Sequence, residues 1–570
     1  MAYFLKKTKR KQGLYLQIYE SFHDQELHHS RHRCIKTIGY EVKLKAQGID
    51  DPVDHFTKEV AKMNKQRKAE IEIAKTKTIG DSPVKNIGQF IPLALLNKLG
   101  IRRELAPYKL VRDFKFDIYE MLEALICSRI VNPLSKYKTW SEIIPTLYKT
   151  YGFSLDQIYA ACEFFGEEYE RLIEVFNHQI KKIYKRKTKE VYFDCTNFYF
   201  EIDCEDGIKM KGPSKENRTD PIVSMALMLD EDQVPLGMKI FPGNESEKPR
   251  LRDMVKDLKK QNSIQGKTIQ VADKGLNCGQ NIYDALKNGD GYIFSKSVKM
   301  LPQIEKDWVL LDNSDWIDVT DTEGNLSFRY KYCIDDFSYT FTDNDGFVRT
   351  EKIPEIRIVT FNPSLAGKQK REIERLADKA ACLTRSKAKK NEFGESSKYV
   401  VFSSVDTSTG EISDGSDVIA VIDSKKIEED KKLAVYNLLV SSELKAKPTN
   451  IYNIYHNLWK IEESFRIMKG QLDARPVYVQ KRDTVIGHFL IVYLAITVLR
   501  LLQYKEFRDK FCCNDILSFI RDFKCVADDN SLINISSLKK VAPFEDLLKL
   551  GLTRYYFTEK DLKKLMNFAF

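Results

Sequence analysis

Apolar and polar positions along the chain fall into blocks of different period. Leu14–Ser21 alternates apolar with other residues and predicts a strand, as does Cys34–Gly39, whereas Asp54–Lys75 predicts a highly charged helix. Thr76–Gln89, with Gly80, Pro83 and Gly88, reads as a linker. From Phe90 to Lys189 the pattern is helical. Pro92–Leu99 ends at Gly100, a C-cap residue, and Asp117–Val131 ends at Asn132-Pro133. Ser154 and Gln157 have the spacing of a capping box that opens the next helix.

At Val191 the period shortens. Strands are predicted at Val191–Ile202, Pro221–Leu229 and Pro235–Phe241, then a helix at Pro249–Lys260, a strand at Lys267–Ala272, a helix at Asn281–Lys287 and a strand at Gly291–Ser295. Three strands in series followed by strand–helix alternation predict a mixed sheet flanked by helices, the element order of an RNase-H-like sheet. Further strands are expected at Trp316–Val319, Ser327–Ile334, Tyr339–Thr342, Ile356–Phe361, Tyr399–Ser404 and Val418–Ile422, around a charged helix at Lys368–Lys390. Leu433–Ser441 is expected to return to the main sheet, before apolar helices at Tyr455–Lys469 and Val485–Gln503. The expected fold is a multidomain α/β chain. It has an N-terminal α+β unit (1–75), a helical region (90–189), a core in two parts (190–295 and 431–505) interrupted by a β-rich insertion (296–430), and a mostly helical tail (506–570).

Tyr455–Lys469 contains a glutamate pair. At 100° per residue, Ile451, Tyr455, Leu458, Phe465 and Lys469 fall within about 60° of Glu462. That places Glu462 inside the apolar stripe and leaves Glu463 as the exposed carboxylate. Burying an unpaired carboxylate costs several kcal/mol, so a cation is expected beside Glu462. The plainer reading assigns both glutamates to a solvated face.

Composition fits a globular chain with an ample core: 43% of the 570 residues are hydrophobic and 31% charged. A net charge of +10 and a pI near 8.8 favour a polyanionic partner. Basic residues gather at Lys6, Lys7, Lys9, Arg10 and Lys11, and again from Lys181-Lys182 to Lys185-Arg186-Lys187, marking 1–75 and 90–189 as candidate DNA-contacting regions. Eleven cysteines without a Cys-x-x-Cys pair predict free thiols in a reducing compartment and no zinc site. The longest apolar run, Phe489–Leu502, contains Arg500 and is short for a membrane span; a cytoplasmic location is expected. No Gly-x4-Gly-Lys-Ser/Thr loop supports a kinase or phosphatase.

Two aspartates occupy strands, where aspartate is disfavoured. Asp194 lies within Tyr-Phe-Asp-Cys-Thr-Asn-Phe, sharing a face with Tyr192 and Thr196, and Asp273 ends an apolar strand just before Lys274-Gly275. Singly, each is better explained as a turn or cap residue. With Glu462 they form a set of hard oxygen donors that suits Mg²⁺ or Mn²⁺. A pair of such ions activates water or a 3′-hydroxyl and stabilises the leaving oxygen in phosphodiester displacement. Tyr455 and Lys469 lie two turns either side of Glu462, within reach of a phosphate, or else serve as a core aromatic and a salt-bridge partner.

The spacing of Tyr455, Glu462 and Lys469 resembles the Tyr-Arg-Glu-Lys signature of bacterial insertion-sequence transposases of the Asp-Asp-Glu (DDE), insertion-sequence-four type. Asp194 in Tyr-Phe-Asp-Cys-Thr, Val271-Ala272-Asp273-Lys274-Gly275, Pro235-Leu236-Gly237 and Phe241-Pro242-Gly243-Asn244 resemble that family's other motifs, in order. The resemblance covers roughly 190–295 and 430–500. It implies catalytic, metal-binding carboxylates at Asp194, Asp273 and Glu462, a Mg²⁺ cofactor replaceable by Mn²⁺, and DNA contacts from Tyr455, Lys469 and Lys274. The signature arginine is replaced by Leu458, so Arg466 and Arg475 are the expected substitutes. Where relatives form a DNA hairpin, a tryptophan of the insertion holds a flipped base; Trp308 and Trp316 are available, but a core role is the leading reading for either. The implied function is binding of terminal inverted repeats, cleavage at the element's ends and joining of 3′-hydroxyls to target DNA by a homodimer. A nuclease without strand transfer and a non-catalytic DNA-binding descendant are the other readings.

Overall fold

The computed structural model describes residues 3–570 apart from 25–28, 77–83, 109–113, 217, 313–314, 386–389, 405–417 and 529–530. Three antiparallel strands, β1 (Tyr3–Arg10), β2 (Gly13–Asp24) and β3 (His29–Tyr40), precede the helix α1 (Pro52–Thr76), closing a small core around Leu16, Leu44 and Phe56. The first strand was hidden in the sequence because lysines interrupt its alternation. Residues 77–83 of the expected linker lie outside the described residues. Its end, β4 (Val84–Asn86), pairs with β16 (Lys524–Asp528) from the far end of the chain.

The helical region follows the predicted boundaries closely. Helix α2 (Phe90–Leu99) stops at Gly100, which adopts φ 67°, and α3 (Ile118–Val131) is capped by Asp117, whose side chain accepts from the Glu120 amide. Both hydrogen bonds of the Ser154–Gln157 capping box open α4 (Leu155–Glu167), and α5 (Tyr169–Tyr184) follows. Helices α2 and α3 are buried almost throughout.

One nine-stranded sheet organises the centre, in the order β10-β11-β12-β15-β9-β8-β5-β6-β7. Strands β5 (Glu190–Tyr199), β6 (Ile222–Leu229) and β7 (Pro235–Pro242) are antiparallel neighbours. After helix α6 (Lys248–Lys260), β8 (Ile269–Ala272) pairs parallel with β5; after α7 (Gly279–Lys287), β9 (Gly291–Lys296) pairs parallel with β8. Strands β10 (Ile317–Thr320), β11 (Leu326–Thr342) and β12 (Val348–Phe361) extend the same sheet, and β15 (Tyr436–Ser441) sits between β12 and β9. The two strands expected within 327–342 are one long strand. Between β12 and β15, α8 (Pro363–Arg385), the hairpin β13–β14 (Val400–Ser404, Val418–Ile422) and α9 (Ser424–Leu433) enclose a separate small core.

The last third supplies the central helix. After α10 (Pro448–His456) and α11 (Trp459–Arg466), α12 (Arg482–Leu501) is buried from Thr484 to Leu501. With its short continuation it is long and apolar enough to cross a membrane by length and composition, yet its apolar window lies wholly inside the protein. Helices α4 and α12 meet backbone to backbone. A Cβ on Gly166 would stand 1.7 Å from the Asp483 carbonyl oxygen, and one on Gly487 1.9 Å from that of Cys162. In the tail, α13 (Cys513–Asp522), α14 (Leu538–Leu548) and α15 (Glu559–Met566) alternate with the short strands β16, β17 (Ser531–Asn534) and β18 (Tyr556–Phe557), which form a sheet with β4. Phe519 and Phe523 pack edge-on against Phe90, so the tail completes the core of the helical region.

Candidate active site

Strands β5 and β8 run parallel with Phe193 opposite Ala272. The next residue after each is an aspartate: Asp194 lies within β5, and Asp273 just past the C-terminal end of β8, beside it. Asp194 accepts a hydrogen bond from the Cys195 amide at 2.7 Å, and Asp273 accepts from the amide of Gly275. Burial pushes Asp194 up to about 7; Lys215 and the Cys195 amide pull against that, and Asp273 and Glu247 add to it.

The helix predicted over 455–469 is not continuous. A turn at Asn457–Leu458 separates α10 from α11, and α11 runs into a π-helical turn, Ile467–Gln471. The inward stripe runs through Leu458, Ile461, Phe465 and Met468. Glu462, one step off it, is exposed, while Glu463 turns inward and meets the fully buried Arg500 at 2.9 Å. The expected order of the two glutamates is therefore reversed: the waiting cation belongs to Glu463. Wheel counting across a broken helix placed the stripe one residue late. The half-buried Tyr455 faces the carboxylates. Burial, with Asp273, Glu462 and Asp194, pushes its phenol up to about 12, against a hydrogen bond with Ser295. Among the described residues, no three His, Cys, Asp or Glu side chains gather closely enough to hold a metal ion together.

The cationic candidates divide. Lys469 and Arg475 converge on Glu216, Lys469 at 3.0 Å, and lie over aromatic rings at the end of β5: Lys469 5.3 Å from the centre of Phe198, Arg475 5.2 Å from that of Tyr199. The π turn carries Lys469 inward, leaving 15% of its side chain exposed. Arg466 is 77% exposed and lies 3.8 Å from Glu463. Lys274 is exposed beside Asp273. Of the basic run after α5, Arg186 is taken inward by Asp230, Asn177 and two carbonyls. Trp308 and Trp316 pack against the core beneath the sheet, where Lys331 lies over both rings.

Three residues of the site escaped the sequence reading: Lys215, Glu216 and Glu247. Lys215 Nζ lies 3.8 Å from Asp194 Oδ1 and 3.4 Å from Glu247 Oε1, and donates to the carbonyl of Cys195. The turn that carries it is held by Asn197, whose Nδ2 donates to the Pro213 carbonyl at 3.1 Å and whose Oδ1 accepts from the Lys215 amide at 3.3 Å. Its approach depends on glycines: a Cβ on Gly212 would meet the Gly243 carbonyl oxygen at 2.1 Å, and one on Gly243 the Ile222 carbonyl oxygen at 2.3 Å. The available signal was a Gly-Pro turn carrying adjacent opposite charges, Gly212 to Glu216, in the connection between the first aspartate strand and β6.

Comparison with protein families matches residues 193–498, more than half of the chain, to the model described as "Transposase DDE domain". A comparison with curated proteins finds no match. Among solved structures, the cryo-EM structure of the piggyBac transposase synaptic complex with hairpin DNA aligns at 9% identity and a TM-score of 0.33, over 72% of this chain and 71% of that one.

Proposed function

The chain belongs to the transposase DDE-domain family, and from that premise we propose that it cuts the ends of its own mobile element and joins their 3′-hydroxyls to target DNA. The observation that carries this reading is the adjacency of Asp194, on β5, and Asp273, just past the end of the parallel neighbour β8, at the centre of the sheet. The strand order β7-β6-β5-β8-β9 is read as an RNase-H-like core, with the remaining strands of 296–430 inserted before the glutamate. We assign the chain to the bacterial insertion-sequence-four type, and end recognition to regions 1–75 and 90–189, acting as a homodimer on terminal inverted repeats.

The donor set fits a hard divalent cation. It is all carboxylate oxygen, and Asp194 already draws in a positive charge, the ammonium of Lys215. Asp194, Asp273 and Glu462 are the residues that would hold Mg²⁺ or Mn²⁺. Bound there, the metal supplies an activated water or 3′-hydroxyl and stabilisation of the leaving oxygen. The chain's own part is to orient DNA: Lys469, Arg475 and Arg466 for backbone phosphates, Tyr455 beside the scissile group, Lys274 at the Asp273 strand end. Glu462, exposed on α11, is the third carboxylate of the proposed set.

The test is a purified assay on duplexes carrying the element's own ends, with a target plasmid and Mg²⁺. Cleaved ends joined to plasmid are expected. Cleavage without joined product would instead identify a nuclease, and binding without cleavage a non-catalytic descendant. Binding should weaken steeply with salt, since several phosphates are contacted.

A further inference from the structure

Lys215 and Glu216 are consecutive residues of opposite charge on one turn, and each faces a different half of the candidate site. The Lys215 ammonium lies between Asp194 and Glu247, at 3.8 and 3.4 Å. The Glu216 carboxylate accepts from both Lys469 and Arg475. We propose that this turn is a charge clip: Lys215 takes the position of a divalent cation at Asp194, Glu216 takes that of a DNA phosphate at Lys469 and Arg475, and the two leave together when metal and DNA bind. The inference rests on the functional reading above and deepens it.

The electrostatics give the clip its effect in both directions. In its closed position Glu216 neutralises two partly buried cations, Lys469 and Arg475, and it repels any phosphate approaching them. Lys215 likewise offsets the negative charge of Asp194 and repels a metal ion brought to the same oxygen. One short turn, anchored through Asn197 and the glycine contact of Gly212 with Gly243, carries both groups. Displacing either end strains the anchor of the other. Metal then favours DNA and DNA favours metal, a reciprocal coupling between two sites through one element.

The experiment uses the full chain and two binding probes, neither of which reads turnover. Mn²⁺ alone, followed by electron paramagnetic resonance, reports the carboxylate half. A fluorescein-labelled DNA duplex of arbitrary sequence, without metal and at low salt, reports the cationic half, because phosphate contacts do not depend on sequence. Lys215→Met is expected to bind Mn²⁺ about five- to tenfold more tightly than the parent, and Glu216→Gln to bind the duplex more tightly by a similar factor, the range of ordinary coupling between sites. Lys215→Arg and Glu216→Asp, which keep the charges, should stay near the parent. In the parent, but not in Glu216→Gln, Mn²⁺ should strengthen duplex binding. Equal or weaker Mn²⁺ binding by Lys215→Met, or equal or weaker duplex binding by Glu216→Gln, in variants whose unfolding midpoints match the parent, overturns the clip and leaves Glu216 a mere brace for its two cations. Asp194→Asn separates this from failure of the metal reading: if it binds Mn²⁺ as the parent does, the metal site and the clip fall together. If it loses Mn²⁺ while Lys215→Met gains nothing, only the clip falls.

Discussion

Arg500 has no exposed side-chain surface, and its Nη2 donates to Glu463 at 2.9 Å. The rest of the guanidinium is spoken for by Ser464, the Lys460 carbonyl and Gln503. An ion pair this enclosed contributes little compared with a well-packed apolar pair, but breaking it is costly, because the remaining charge keeps its desolvation penalty. Glu463→Ala is therefore expected to lower stability by about 3–5 kcal/mol, whereas Glu462→Ala, on the exposed side of the same helix, changes it by less than about 0.5 kcal/mol. Urea unfolding of the two variants checks this. Similar losses in both would mean that the inward face of α11 has been assigned to the wrong glutamate.

The same contrast should invert in catalysis. Glu462→Gln and Asp273→Asn keep the shape of the side chain and remove a negative oxygen, so end cleavage in Mg²⁺ should fall by more than about 100-fold, beyond what losing an outer support of a metal site costs. Duplex binding without metal should remain within about twofold, since neither residue supplies positive charge. Gel-shift and nicking assays on the same preparations measure both. A Glu462→Gln protein that still nicks at the parent rate would remove Glu462 from the reaction.

Much of this architecture was legible because its signals are local. Gly100 ends α2 through its left-handed backbone, Ser154 and Gln157 cap α4, and the strands from Val191 to Ser295 announce themselves by residue type. Asp194 and Asp273 stood out because strands disfavour aspartate, although only the parallel register of β5 and β8 shows them to be adjacent. What the sequence concealed depends on long-range pairing. Four- and five-residue strands in the tail are too short for a period and gain their edge from β4, over four hundred residues earlier. The Glu462/Glu463 order failed because a turn at Asn457–Leu458 and a π turn after Arg466 break the 100° count. Lys215 and Glu216 were invisible for a different reason. A charged Gly-Pro turn looks like any surface loop until the fold lays it across the carboxylates.

Helices α4 and α12 touch through Gly166 and Gly487, and this contact joins the helical region to the buried helix beneath the site. A methyl at Gly487 would fall 1.9 Å from the Cys162 carbonyl oxygen, a backbone atom that cannot turn aside. Gly487→Ala must push the helices apart and is expected to destabilise the protein by about 1–3 kcal/mol or more, the usual cost of overpacking. Ala495, also buried in α12, offers the opposite control, since Ala495→Gly removes a methyl and opens space instead. Thermal unfolding of Gly487→Ala within about a degree of the parent would show that the helices part freely.

A buried lysine beside α12 gives a pH signature. Lys136 Nζ lies 3.4 Å from His488 Nδ1, and His488 Nε2 lies 3.0 Å from the Ala474 carbonyl oxygen. Burial holds His488 well below its ordinary range, with Lys136 and Arg129 adding to the effect, so the neutral ring donates from Nε2 and accepts from Lys136 at Nδ1. Burial also pushes Lys136 down to about 8, with Arg129 adding to it and Cys162 opposing, from an ordinary value of 10.5. Because the folded value is the lower one, the unfolded chain binds more protons between these two values. Stability from this group therefore rises with pH across that window, and its penalty is fully present below it. Lys136→Met removes the penalty, worth up to about 3 kcal/mol, and leaves His488 Nδ1 without a donor at a cost of about 1 kcal/mol. A net gain of about 2 kcal/mol is expected near pH 7, shrinking through pH 8 to 10 until the variant is no more stable than the parent. Urea midpoints of both proteins at a series of pH values measure the difference. A gain that stays constant across the window would show that Lys136 keeps its proton throughout, and that the stabilisation comes from packing alone.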